Sequence, residues 1–311
     1  MKMFKMVLFK MSRAFTSSKW LQLTVLAIVA IITACTSNPL DDNNTIDDAT
    51  RRMTGKVSIA DGASPEGVFV WMKGLNLSAH TDENGEYSFL LSDGVVDRSG
   101  AVQRDTLYYY LSNYRLERRY VDIIQGAFKF ASADLNENGE AREVAMQRVV
   151  NIRTGVSFHS NSTDPTAPDT VRILTRLSAE SGCAVVHNPF LKNESQRADG
   201  DTTAFPLGAV LIRKIGSEVF YVVRSTDEDL GAERLVPCSY NTIHRKLDFF
   251  AEDIGDVGLP KGQYEAVPYL WLEPEGALAA LLDAIGRQKN ELSANYFDKP
   301  MKRIGGTFEI K

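Results

Sequence analysis

Between residues 53 and 92 the chain alternates apolar and polar side chains in short bursts punctuated by turn-forming residues, and that period of two admits little but β-strand. Gly55-Lys56-Val57-Ser58-Ile59 alternates, then runs into Asp61-Gly62-Ala63-Ser64-Pro65-Glu66-Gly67. Val68-Phe69-Val70-Trp71-Met72 reads as a second strand, with Val68, Val70 and Met72 on one face. Ala79-His80-Thr81 leads into Asp82-Glu83-Asn84-Gly85. Asn84 and Gly85 both tolerate positive φ, so a tight hairpin turn is expected there. Glu86-Tyr87-Ser88-Phe89-Leu90 returns, with Tyr87 and Phe89 sharing a side.

The same spacing continues. Thr106-Leu107-Tyr108-Tyr109-Tyr110-Leu111, Tyr120-Val121-Asp122-Ile123-Ile124, Ala127-Phe128-Lys129-Phe130 and Glu143-Val144-Ala145-Met146 read as strands, which favours an antiparallel sandwich over 51–148. A second β-rich block, 149–311, holds Val171-Arg172-Ile173-Leu174, Gly208-Ala209-Val210-Leu211-Ile212, Val219-Phe220-Tyr221-Val222-Val223 and Tyr264-Glu265-Ala266-Val267. Gly216-Ser217 suggests a hairpin there, and Gly305-Gly306-Thr307-Phe308-Glu309-Ile310 a final strand. Leu259-Pro260-Lys261-Gly262-Gln263-Tyr264 resembles a sandwich lead-in in which a tyrosine hydroxyl ties a loop to its strand, with Tyr264 as that residue. Helical spacing of strong helix formers appears near 275–290, where Leu278, Leu281, Leu282 and Ile285 form a stripe expected to pack on the second sheet. The fold class is therefore all-β: two tandem Ig/transthyretin-like β-sandwich domains with one C-terminal helix.

The stretch GKV…G…PEGVFVWMKG…AHTDENGEYSFLL, about forty residues with Thr81 to Phe89 its most specific part, resembles a carboxypeptidase regulatory-like domain. That resemblance implies a small transthyretin-like sandwich with a structural or accessory binding role. It carries no peptidase site of its own.

The N-terminus indicates an address. Residues 20–34 form an uncharged, largely apolar run of fifteen, preceded only by basic charges at Lys2, Lys5, Lys10, Arg13 and Lys19. Such a run is short for a bilayer core, which needs roughly 20 helical residues. A basic flank and a small-residue site describe a signal peptide instead. Ile32-Thr33-Ala34-Cys35 resembles the lipobox of bacterial lipoproteins. The resemblance implies cleavage after Ala34 and lipid attachment at Cys35, with 1–34 as signal peptide and 35–50 as a flexible acidic tether. Its implied location is the bacterial outer membrane, periplasmic or surface-facing, and its implied partner the membrane lipid itself.

Removing 1–34 moves the formal net charge from −5 to about −10. An acidic body without Lys/Arg blocks argues against a nucleic-acid partner. Cys183 and Cys238 are a candidate disulfide in an oxidising compartment, or else two buried thiols. Asp134-x-Asn136-x-Asn138-Gly139-Glu140 resembles the opening of a calcium loop, yet Ala145 occupies the position of the bidentate carboxylate, and a β-turn is the better reading. The histidines His80, His159, His187 and His244 lack zinc-site spacing, and no nucleophile elbow, Walker loop or dinucleotide fingerprint occurs. No catalytic residue, metal or cofactor is expected. The function expected is a membrane-anchored, non-enzymatic role in structure, adhesion or assembly at the cell envelope. The alternative is a glycan- or peptide-binding module using loops 160–169 and 192–203.

Overall fold

Strand β1 (Arg52–Ile59) sits at the centre of a three-stranded sheet, antiparallel to β4 (Glu86–Leu90) and parallel to β8 (Glu140–Met146). Its alternation turns Met53 and Val57 inward. Gly55 lies in the same row, where a Cβ would overlap the Tyr87 hydroxyl. Facing this sheet is a five-stranded one, ordered β3 (Leu77–His80), β2 (Phe69–Met72), β5 (Gln103–Tyr110), β6 (Glu117–Ile124), β7 (Ala127–Phe128). Val70, Leu107, Tyr109, Val121 and Val144 fill the space between the two. The computed structural model describes residues 48–92, 100–159, 170–190, 205–225, 232–254, 258–272, 275–286, 289 and 291–311. Residues 48–311 cluster as one unit.

The turn at Asp82 differs from the expected hairpin. β3 and β4 belong to opposite sheets, so the chain crosses the sandwich there. Only Gly85 takes a positive φ, 79°, and Asp82 Oδ1 accepts the backbone N–H of Asn84 and of Glu86, at 2.9 and 2.8 Å. An Asx turn with one glycine suffices to change sheets.

The second sandwich pairs a five-stranded sheet, β12 (Phe205–Pro206), β16 (Ile243–Phe250), β10 (Thr170–Ala179), β9 (Val150–His159), β19 (Ile304–Gly305), with a four-stranded one, β14 (Phe220–Arg224), β13 (Ala209–Lys214), β17 (Gly262–Pro268), β20 (Thr307–Ile310). A small sheet of β15 (Ala232–Leu235), β11 (Val186–Pro189) and β18 (Trp271–Leu272) closes one side. β13 and β14 form the hairpin expected at Gly216. The Tyr264 hydroxyl donates to the carbonyl of Pro260, which ties the lead-in loop to its strand as the sequence suggested. The core is Ile152, Ile173, Leu247, Val210, Ile212, Ala266 and their neighbours. One layer of it is polar: Arg245 pairs with Glu233 at 2.9 Å, and Asn188 bridges Glu233, the Pro206 carbonyl and the Gly208 amide.

The helix, Ala279–Ile285, lies where the sequence placed one but on the other sandwich. Leu281, fully buried, packs with Leu278, Leu282 and Ile285 against Phe69, Trp71, Tyr108 and Tyr110 on the outer face of β2 and β5. The physical reason is that β2 and β5 are apolar on both faces: all four residues of β2 are buried, as are Tyr108, Tyr109 and Tyr110. A strand hydrophobic on both sides needs two covers. Further along, Leu292, Tyr296 and Phe297 cover the outer face of β13 and β17 through Ala209, Leu211, Val267 and Tyr269. Residues 278–285 therefore overlie an outer face of the first sandwich, and residues 292–297 one of the second.

Truncating Leu281 to alanine should lower stability by roughly 2–5 kcal/mol, measured as a fall in the urea midpoint. An unchanged midpoint would show that the helix contributes no cover.

Candidate functional site

The two sandwiches meet at Asn113, a polar residue only 1% exposed that directly follows the tyrosine strand and Ser112. Its side-chain amide donates to the carbonyls of Val150 (3.0 Å) and Lys302 (2.8 Å), and its Oδ1 accepts the Lys302 amide at 3.0 Å. The Asn113 carbonyl accepts the amide of Val149 at 2.9 Å, and the Ser112 amide donates to the Pro300 carbonyl at 2.8 Å. One side chain thus joins three segments: the end of the first sandwich, the start of β9, and the approach to β19.

Beside it lies a charged knot. The Arg148 guanidinium contacts Asp61 at 2.7 Å, donates to the Tyr114 hydroxyl at 2.9 Å and to Asn151 Oδ1 at 2.6 Å. Asn151 in turn donates to Glu180 at 2.6 Å. Asp61 and Tyr114 belong to the first sandwich, Asn151 and Glu180 to the second. Burial pushes the Tyr114 hydroxyl up to about 12, against the opposing pull of Arg148. With the arginine side chain 8% exposed, breaking the pair leaves a buried charge uncompensated.

Next to this knot opens a cleft of about 520 Å³ whose walls include Arg115, Leu116 and Gln147 on one side and Cys183, Val185 and Glu275 on the other. Its volume suits a small ligand. Its chemistry is mixed, and among the described residues no group of three His, Cys, Asp or Glu could hold a metal ion.

The residues singled out in the sequence are dispersed. Cys183 and Cys238 form a disulfide, S–S 2.09 Å, next to the β11–β15 pairing, with backbone bonds Ala184 N to Pro237 O and Ser239 N to Gly182 O on either side. His80 packs on the Phe69 ring at 5.3 Å, and burial, then Lys289, pulls its pKa down. His159 is exposed, its Nε2 3.1 Å from Ser157 Oγ, and His187 lies on β11. In the 134–140 turn, Asn136 Oδ1 accepts the amides of Asn138 and Glu140, so that side chain organises the turn. Cys35, residues 160–169 and 192–203 lie outside the described residues. Asn113 and Arg148 gave no signal in the sequence, since nothing local distinguishes a clamp from a loop asparagine.

Comparison with protein-family models, with curated proteins and with solved structures finds no match to this chain.

Replacing Asn113 with alanine should strip the partner from the Lys302 amide and cost about 1–3 kcal/mol. Hydrogen exchange should speed up at 149–150 and 300–305 and stay unchanged in β10. Uniform acceleration would argue against a local joint.

A pH signature should come from the buried Lys299. Lys299 is 6% exposed, and burial, reinforced by the charge of Arg303, pulls its pKa down to about 7 from the ordinary 10.5. In the unfolded chain the amine keeps its proton to higher pH, so stability should rise as pH climbs from about 7 towards 10. Above that, Tyr109 and Tyr269, pushed up to about 12 by burial, keep protons the unfolded chain loses, and stability should fall. Urea titrations across this range check both arms, and Lys299→Met should flatten the first.

Proposed function

We propose that the chain is a lipid-anchored envelope protein with a structural, adhesion or assembly role, and that it is not an enzyme. The observation that carries the reading is Ile32-Thr33-Ala34-Cys35 at the end of an uncharged run with an all-basic flank. Acylation at Cys35 would bury several acyl chains, each methylene worth about 0.8 kcal/mol, and two or more chains anchor a protein stably. The acidic stretch after Cys35 serves as tether. The first sandwich, read as a carboxypeptidase regulatory-like domain, serves as a stalk. The clamp at Asn113 and the Arg148 knot support this reading, because a spacer has to transmit position, and two sandwiches joined by buried polar bonds do so better than two on a free linker. The disulfide supports an exported location, since such bonds persist in oxidising compartments.

The test is Cys35→Ala in a lipoprotein-processing bacterium. The wild-type chain should incorporate labelled palmitate and fractionate with membranes. The variant should lose both, and retention of both would overturn the anchor. Reducing Cys183–Cys238, which closes a span of 55 residues, should separately lower stability by roughly 4 kcal/mol in the chain-entropy model. A midpoint insensitive to dithiothreitol would show that the bridge contributes little.

A further inference from the structure

The two sandwiches treat their uncovered sheet faces in opposite ways. On the three-stranded sheet of the first, Lys56 stands directly across from Glu86, and the broad polar groove over that face mixes Arg52 and Arg142 with Glu140 and Glu143. That is the ordinary solution, because opposite charges across strands stabilise a sheet and like charges destabilise it.

On the five-stranded sheet of the second sandwich the outward row of β9, β10 and β16 is Arg153, Arg176, His244, each directly opposite the next in register. Arg153 and Arg176 are exposed, and among the described residues neither makes an ion pair or a side-chain hydrogen bond. The row two residues along is Gly155, Leu174 and Lys246, which adds a further cation and, at Gly155, a site with no side chain. Only in the third row does a carboxylate appear, where Asp248 holds Arg172 bidentately at 2.8 and 2.9 Å. One end of the face is neutralised by Asp248 and the other by Glu180, bonded to Asn151, while Arg153 and Arg176 between them have no ion pair among the described residues.

We propose that this face binds an acidic polysaccharide, with Arg153 and Arg176 gripping its carboxylate or sulfate groups and the sugar ring lying over the open backbone at Gly155 beside the exposed Leu174. Two guanidinium forks on neighbouring strands present paired donors suited to such anions. An extended peptide would ordinarily add to a sheet edge and not to the face on which Arg153 and Arg176 stand. Nucleic acid calls for a longer cationic track than this. An anionic bilayer is the competing partner, and the vesicle arm of the test decides against or for it.

The inference goes beyond the anchoring reading and stands without it. Its test uses the full-length chain in detergent, titrated with heparin fragments and polygalacturonate, with neutral dextran, polyglutamate and phosphatidylglycerol vesicles alongside. Acidic polysaccharide should bind, weakening with added salt, and Arg153→Gln/Arg176→Gln should lower affinity about tenfold or more. A double variant of equal charge elsewhere, Arg118→Gln/Lys261→Gln, should bind as wild type. Absence of polysaccharide binding overturns the proposal, as does equal loss in both double variants. Preference for polyglutamate or vesicles through the same two arginines overturns the assignment of the partner. Palmitate labelling is unaffected by any of these results, so a failure here and a failure of the anchor are distinguishable.

Discussion

The relative placement of the two sandwiches depends first on the carboxamide of Asn113. A carboxamide offers two donors and an acceptor with two lone pairs, and here three bonds to backbone atoms of Val150 and Lys302 use nearly all of that capacity. No ordinary apolar contact fixes three chain segments with such directional demand. Because Asn113 is buried, its bonds face little competition from water, and a missing one leaves a desolvated group behind. The Arg148 knot then resists twisting about that point, since it spans from Asp61 to Asn151 and on to Glu180.

The strands were legible because their signal is local. Period-two alternation survives in β1, β4 and β10, each with one face inward and one face out, and there sequence and structure agree. The all-β sandwich class followed from those strands together with the spacing of the turns. What sequence reasoning left open was coverage. Val68-Phe69-Val70-Trp71-Met72 and Leu107-Tyr108-Tyr109-Tyr110-Leu111 are apolar without interruption, and in the structure such runs mean that both faces are buried. Ala209-Val210-Leu211-Ile212 carries the same mark. Each run announces that something covers its outer face. None says what, because the covering residues lie far away in sequence, and so the helix stripe was assigned to the nearer sheet.

The candidate sites divide along the same line. The Tyr264 tie spans four residues, so a motif reveals it. The Asn113 bonds to Lys302 span 189 residues and the arginine pair joins two strands in register, so both appear only once the sheet order is known. The charge total pointed away from anionic partners, yet a total says nothing about where the charges lie. Arg153 and Arg176 sit 23 positions apart in the chain and directly opposite in the sheet.

The cover over β2 and β5 has a consequence for synthesis. Tyr110 leaves the ribosome about 170 residues before Leu281, a delay of roughly ten to thirty seconds at about 5–20 residues per second. Throughout that interval the first sandwich can close its inner core, but Phe69, Trp71, Tyr108 and Tyr110 have no lid. An aromatic sheet face left bare for that long is a surface for chaperones or for other nascent chains. The nascent chain must therefore be sheltered until residues 278–285 emerge, and a message truncated before the codon for Leu281 yields a sticky product even though every strand of the first sandwich is present.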